Sequence, residues 1–339
     1  MKSLFERKLV VVTGKGGVGK TTIAAALGLA GARAGRRTIV VEVGEESRLP
    51  GLFGVRPPAA GSECVLEQRL ASISIDPDQA LLEWLQLLGG RVPGRMLASS
   101  GTFQYFTAAA PGAKELVTMV KIWRLTGAHG TSARERSHDL VILDAPATGH
   151  ALGMLGSPHT FGAIARVGPV VAQTRRVQEL LEDPAQSAYL AVALGTEMAV
   201  TEALELQDGL RRHLRRDLEA VIVNQLLPQR FTTTELQRIA ALAQPAPTVA
   251  GAHPEIPRAY DSAEAEKHAL IEAAVRAANT VHRRARFQHN QLARLRRREF
   301  NVIGIPFVWT SELDLAAVDA ISRKLERALS GAHQSEASR

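Results

Sequence analysis

Cysteine is nearly absent from this chain, with Cys64 the one example in 339 residues. A lone thiol excludes an intrachain disulfide and any multi-cysteine metal cluster formed within one chain. The plain expectation for it is a packed or loop residue rather than a redox or ligand group. Aromatic residues are also scarce, at 4%, so aliphatic side chains must supply the core. Long apolar runs are missing as well. None approaches the roughly 20 residues of a membrane-spanning helix. The opening MKSLFERK enters its first apolar run too soon for a signal peptide. These absences lead us to expect a soluble, cytoplasmic protein. What remains is ordinary for a globular chain: 45% hydrophobic, 22% charged and a net charge of +7. The positive balance permits nucleic acid, an anionic membrane or an acidic partner and establishes none of them.

The most informative stretch is Val10–Thr22, VVVTGKGGVGKTT. From Gly14 to Thr21 it fits G-x-x-x-x-G-K-[ST] at every fixed position. Glycines let backbone N–H groups converge on phosphate oxygens, and a helix N-terminus behind them adds positive potential. Lys20 is expected to reach the β/γ-phosphates and the Thr21 hydroxyl to ligate Mg2+. Gly14, Gly16, Gly17, Val18, Gly19, Lys20, Thr21 and Thr22 are the candidate nucleotide contacts. The context suits the motif, since Leu9–Thr13 reads as a buried strand and Thr21–Ala34 as an Ala- and Leu-rich helix.

Further buried strands are predicted at Arg37–Val43, Arg69–Ile75, Asp139–Leu143, Leu190–Leu194, Ala220–Val223 and Asn301–Ile305. Helices are predicted at Pro77–Leu88 after an N-cap at Asp76, and at Pro111–Leu125, Gln173–Leu181, Glu197–His213, Ser262–Arg298 and Leu313–Leu329. Continuous apolar strands alternating with helices imply an α/β fold with a doubly wound, mostly parallel sheet. Residues Gly89–Ala113 carry weak periodicity. His282–Arg298 holds seven arginines and no acid. It reads first as a solvated helix face and second as an electrostatic contact surface.

Two further residues belong with the phosphate motif. Asp144 closes a core strand, where a Mg2+-water ligand is expected, and Pro146 and Gly149 after it predict a loop suited to sensing the γ-phosphate. Lys15 is a second lysine inside the phosphate loop. It is either a solvated side chain or a charge delivered to the phosphates of a nucleotide in a facing subunit.

Lys15 and Lys20 together resemble the deviant Walker A motif of the P-loop NTPases grouped with MinD, ParA and the nitrogenase iron protein. Asp144–His150 resembles the switch II sequence of one branch, the arsenical pump-driving ATPase and its eukaryotic relative that delivers tail-anchored membrane proteins. Pro111–Leu116, Val223–Pro228 and Ile305–Phe307 resemble further motifs of that branch, and Gly195–Leu206 is a looser match. The matches follow family order across roughly residues 8–325.

The resemblance implies a single P-loop ATPase domain over residues 1–330, with a helical subregion at about 76–130 and a disordered tail at 331–339. It implies ATP and Mg2+ as cofactors, Asn224 reading adenine, and Pro306 on the other side of the base. It implies a dimer, either of identical chains or with a paralogous ATPase, in which Lys15 acts across the interface. A membrane protein as partner or cargo is consistent with it, whereas nucleic acid is not an expected partner.

The chain departs from the family at switch I, where Gly44-Glu45-Glu46-Ser47 replaces D-P-A-H. Glu45 is the first candidate to orient the attacking water, with Glu46 and Glu42 as alternatives. The paired zinc-binding and arsenite-binding cysteines of the two named relatives are absent, so no zinc site is expected.

Overall fold

The computed structural model describes residues 4–59, 61–89, 112–127, 138–164, 169–242, 259–298 and 300–336. Most of the weakly periodic stretch Gly89–Ala113 (residues 90–111) and the end of the expected helical subregion, from 128 to about 130, lie outside the described residues, as do residues 337–339.

The chain begins β1 (Leu9–Gly14), α1 (Lys20–Arg33), β2 (Thr38–Val43), a short α2 (Leu49–Leu52), β3 (Cys64–Glu67), β4 (Leu70–Ile75) and α3 (Pro77–Gly89). It continues through α4 (Ala113–Leu125), β5 (Leu140–Ala147), α5 (Thr148–Ile164), α6 (Pro169–Glu182), β6 (Ser187–Leu194) and α7 (Glu197–Leu214). The last elements are β7 (Ala220–Leu226), α8 (Thr233–Leu242), α9 (Ala259–Arg296), β8 (Val302–Pro306) and α10 (Leu315–Glu336). α10 therefore runs past the Leu329 end that the sequence suggested.

The eight strands form one sheet in the order β3-β4-β2-β5-β1-β6-β7-β8. Neighbouring strands are parallel except for β3 and β4, which are antiparallel. This is the expected α/β, doubly wound and mostly parallel sheet. The side-chain period of two explains why its strands read as unbroken apolar runs. In β1, Leu9 and Val11 enter one core with α4, α5 and α7, while Val10 and Val12 enter the other with α1 and α10. In β5, Val141 and Leu143 split from Leu140 and Ile142 in the same way. Truncating one of these fully buried residues, such as Leu143→Ala, costs about 2–5 kcal/mol.

Four elements were not evident in the sequence, the short α2 among them. β3 adds an antiparallel edge strand whose residues alternate buried and exposed, and Cys64 is buried in it. α8 follows β7. β5 runs on through Asp144 to Ala147, and α5 starts at the next residue, so the expected loop after Asp144 is instead a strand joined directly to a helix. The extension is held by the Thr13 hydroxyl, which donates to the Pro146 carbonyl at 3.0 Å.

The order reverses at β1, which lies between β5 and β6. The carboxyl ends of β1, β2, β5, β7 and β8 therefore meet on one rim, where open α/β sheets bind ligands. α9 packs Ala285, Leu292 and Leu295 inward, and the seven arginines between 282 and 298 all stay exposed. Among the described residues, no helix is long and apolar enough to cross a membrane.

Candidate functional site at the phosphate loop

The loop from Gly14 to Thr22 turns where β1 ends between β5 and β6. Gly14 has φ +150°, and a Cβ there would lie 2.1 Å from the Val192 carbonyl oxygen of β6. Gly19 has φ +91°, and a Cβ there would lie 2.4 Å from the Asn224 amide nitrogen. Both positions need glycine for conformation and for space. The Asn224 side chain, buried at the end of β7, donates to the Val18 carbonyl at 3.0 Å. Its own oxygen accepts from the N–H of Gln225, which has φ +56°. Asn224 thus ties the strand end to the crown of the loop.

Lys20 opens α1 and donates to the Lys15 carbonyl at 3.2 Å. Burial lowers the pKa of its ammonium, and the Asp144 carboxylate opposes that. Thr21 donates its hydroxyl to one Asp144 oxygen at 2.5 Å, and the second Asp144 oxygen is buried with no partner. Burial pushes the Asp144 carboxyl up to about 6, against the pull of the Thr21 hydrogen bond and the Lys20 charge. An orphaned buried carboxylate oxygen beside a hydroxyl oxygen is a hard-donor pair of the kind Mg2+ takes, so these residues fit that ion.

Two cavities meet here. One, of about 490 Å3, is lined by Gly17, Gly19, Lys20–Thr22, Asn224 and Pro306, among others. The other, of about 470 Å3, lies between Lys20, Thr21 and Asp144 on one side and Glu42–Glu46 on the other. Of the remaining sequence-predicted residues, Gly16 is exposed on the loop, Val18 is buried beneath it, and Gly14 ends β1 packed against β6. Glu45 and Glu46 are exposed and line the second cavity.

A family model described as an anion-transporting ATPase matches residues 7–167 of this chain. The chain is 32% identical over 240 residues to the ATPase BagA of Mycobacterium tuberculosis, a match covering 69% of each chain. It is 25% identical over 280 residues to the ATPase GET3C of Arabidopsis thaliana, covering 68% of this chain and 69% of that one. A putative arsenical pump-driving ATPase of Halobacterium salinarum is 25% identical over 248 residues, 67% of this chain and 36% of its own. The chain belongs to the ArsA-type ATPase family.

Against the ArsA-type pattern, the switch I alternatives separate cleanly. Glu42 is buried, and its carboxylate accepts from the Ser47 hydroxyl at 2.5 Å and from the backbone N–H groups of Arg48 and Leu49. It caps the short α2, and both of its oxygens already accept hydrogen bonds from that turn. Lys15 does not enter either cavity. Its ammonium lies on α7, 3.4 Å from a Glu202 oxygen and in contact with the Met198 sulfur. Glu202 belongs to the stretch that matched the ArsA-type motifs loosely.

One residue escaped the sequence reading. Arg48 lines both cavities. The signal for it was slight: it is the first cation after β2, four residues beyond the family's missing aspartate.

Proposed function

We propose that this chain is a Mg2+-dependent, cytoplasmic ATPase whose nucleotide-driven dimer closure is passed to a partner or cargo. The observation that carries the reading is the Thr21–Asp144 hydrogen bond beside Lys20, with one Asp144 oxygen left open. In this reading the N–H groups of residues 16–22 cradle the phosphates at the N-terminus of α1. Lys20 neutralises the β/γ-phosphates. Thr21 and Asp144 would hold Mg2+, which when bound offsets phosphate charge. Asn224 and Pro306 flank the base, and Glu45 orients the attacking water from across the second cavity. Lys15 leaves Glu202 and reaches the nucleotide of the facing subunit when the dimer closes. That subunit is either a second copy or a paralogous ATPase. Phosphate release from Mg2+-ATP, lost in Lys20→Ala and in Asp144→Asn, tests the proposal.

A second reading is a nucleotide-gated binding module, the non-hydrolysing subunit of a heterodimer. It is favoured by the commitment of Glu42 to capping and by Gly44 standing where the family has its acid. Tight ATP binding without phosphate release supports it, as does turnover that appears only when a paralogue with an intact switch I is added.

A further inference from the structure

Lys20, Thr21 and Arg48 are the three residues that line both cavities at the rim of the sheet. Lys20 and Arg48 are the only cations among the described residues lining either one. The two are not held alike. Lys20 is half-buried and bonded to the Lys15 carbonyl. Arg48 is fixed at its backbone instead: its N–H donates to both oxygens of the buried Glu42, at 2.9 and 3.2 Å, and the next residue, Leu49, is fully buried. Its side chain is exposed, and no carboxylate among the described residues forms an ion pair with it, although its charge is felt by Asp144 across the second cavity. A rigid base under a free planar cation is a preorganised oxyanion ligand, because a guanidinium can offer two parallel N–H donors to one phosphate.

We propose that Arg48 binds the terminal phosphate of a nucleoside triphosphate within the same chain and so makes the site selective for triphosphate over diphosphate. The inference rests on the nucleotide reading above and adds to it a cation supplied from the switch I side. The cavity beside the phosphate loop takes the nucleotide. The second cavity, between Asp144 and Glu45, lies beyond it. Lys20, Thr21 and Arg48 all border both, but Arg48 alone comes from the switch I segment rather than the phosphate loop. That is the side toward which a third phosphate would extend and a second would not. Glu42 then has a part of its own: both of its oxygens hold the Arg48 backbone in register.

Calorimetric titration of a non-hydrolysable ATP analogue and of ADP, each with Mg2+, tests this in wild type, Arg48→Gln, Arg48→Lys and Lys20→Ala. The Arg48→Gln protein is expected to lose about tenfold or more in affinity for the triphosphate, the scale of one charge-assisted hydrogen bond, with ADP changed less than about twofold. Arg48→Lys should fall between Arg48→Gln and wild type, since a point charge replaces a fork. Lys20→Ala should weaken both ligands. Equal losses for both ligands in Arg48→Gln, or no loss for either, overturn the inference while leaving the nucleotide site intact. A wild-type protein that binds neither ligand overturns the nucleotide reading itself and this inference with it.

Discussion

The side-chain amide of Asn224 donates to the Val18 carbonyl at 3.0 Å, and its amide nitrogen stands 2.4 Å from where a Gly19 Cβ would be. The end of β7 therefore braces the phosphate loop directly. Replacing Asn224 by Ala leaves a buried carbonyl without a donor. We expect a loss of about 1–3 kcal/mol in urea unfolding without ligand, accompanied by weaker nucleotide binding. Unchanged stability with lost binding would mean that the amide serves only the base.

Asp144 carries the second prediction. Asp144→Asn keeps the shape and removes the charge beside the open oxygen. Phosphate release should fall by about 100-fold or more, as expected when a main electrostatic element of a phosphoryl-transfer site is lost. Its dependence on Mg2+ should shift to higher concentration. A variant whose Mg2+ titration overlays that of wild type would remove Asp144 from the metal site.

Glu45 and Glu46 both line the second cavity, and in the proposed mechanism Glu45 takes the water-orienting role. Glu45→Gln should lower kcat by about 100-fold, the middle of the range for a positioned proton acceptor, with KM nearly unchanged. Glu46→Gln should retain most activity. If neither variant loses turnover, the acid of this mechanism is not on this loop.

The acid limb of stability is set in part by Asp139, which accepts from the Arg37 backbone N–H at 2.9 Å and from its guanidinium at 3.1 Å. The Arg37 hydrogen bond holds the Asp139 carboxyl at about 2, below its ordinary value. A carboxylate with a depressed folded-state pKa stabilises the fold above its unfolded pKa and loses that contribution as pH falls toward its folded one. The window is therefore from about 4 down to about 2. The pair is largely exposed, so solvent screening limits the effect at neutral pH to about 1 kcal/mol or less. Asp139→Asn should remove that increment at pH 7 and flatten urea-unfolding midpoints across the window. An unaltered slope there would assign the acid dependence to other carboxylates.

The sequence made some of this visible and hid the rest for identifiable reasons. β1, β2, β5, β6 and β7 are buried on both faces, so their apolar runs are continuous and easy to read. β3 is short, alternates buried and exposed, and carries Val65 at 74% exposure on an edge, so no run announces it. α5 holds Gly149, Gly153, Gly156 and Pro158, residues that signal turns. Only its packing between α4, α6 and α7 makes it a helix. At the site, the loop lysines and Asp144 were legible because motif chemistry fixes their types. Arg48 was not, because its place depends on the three groups that donate to Glu42 and on the sheet order that brings β2 beside β5. The capping role of Glu42 has the same origin: only the fold reveals that both of its oxygens accept hydrogen bonds from the turn into α2.

The central claim is that Lys20 and Thr21, with Asp144, form a working ATP-hydrolysing centre. The most direct test is steady-state phosphate release from Mg2+-ATP by the purified protein and by Lys20→Ala, with and without chelation of the metal. The account predicts turnover in the wild type that disappears in Lys20→Ala and on chelation. Turnover that survives either change would contradict it.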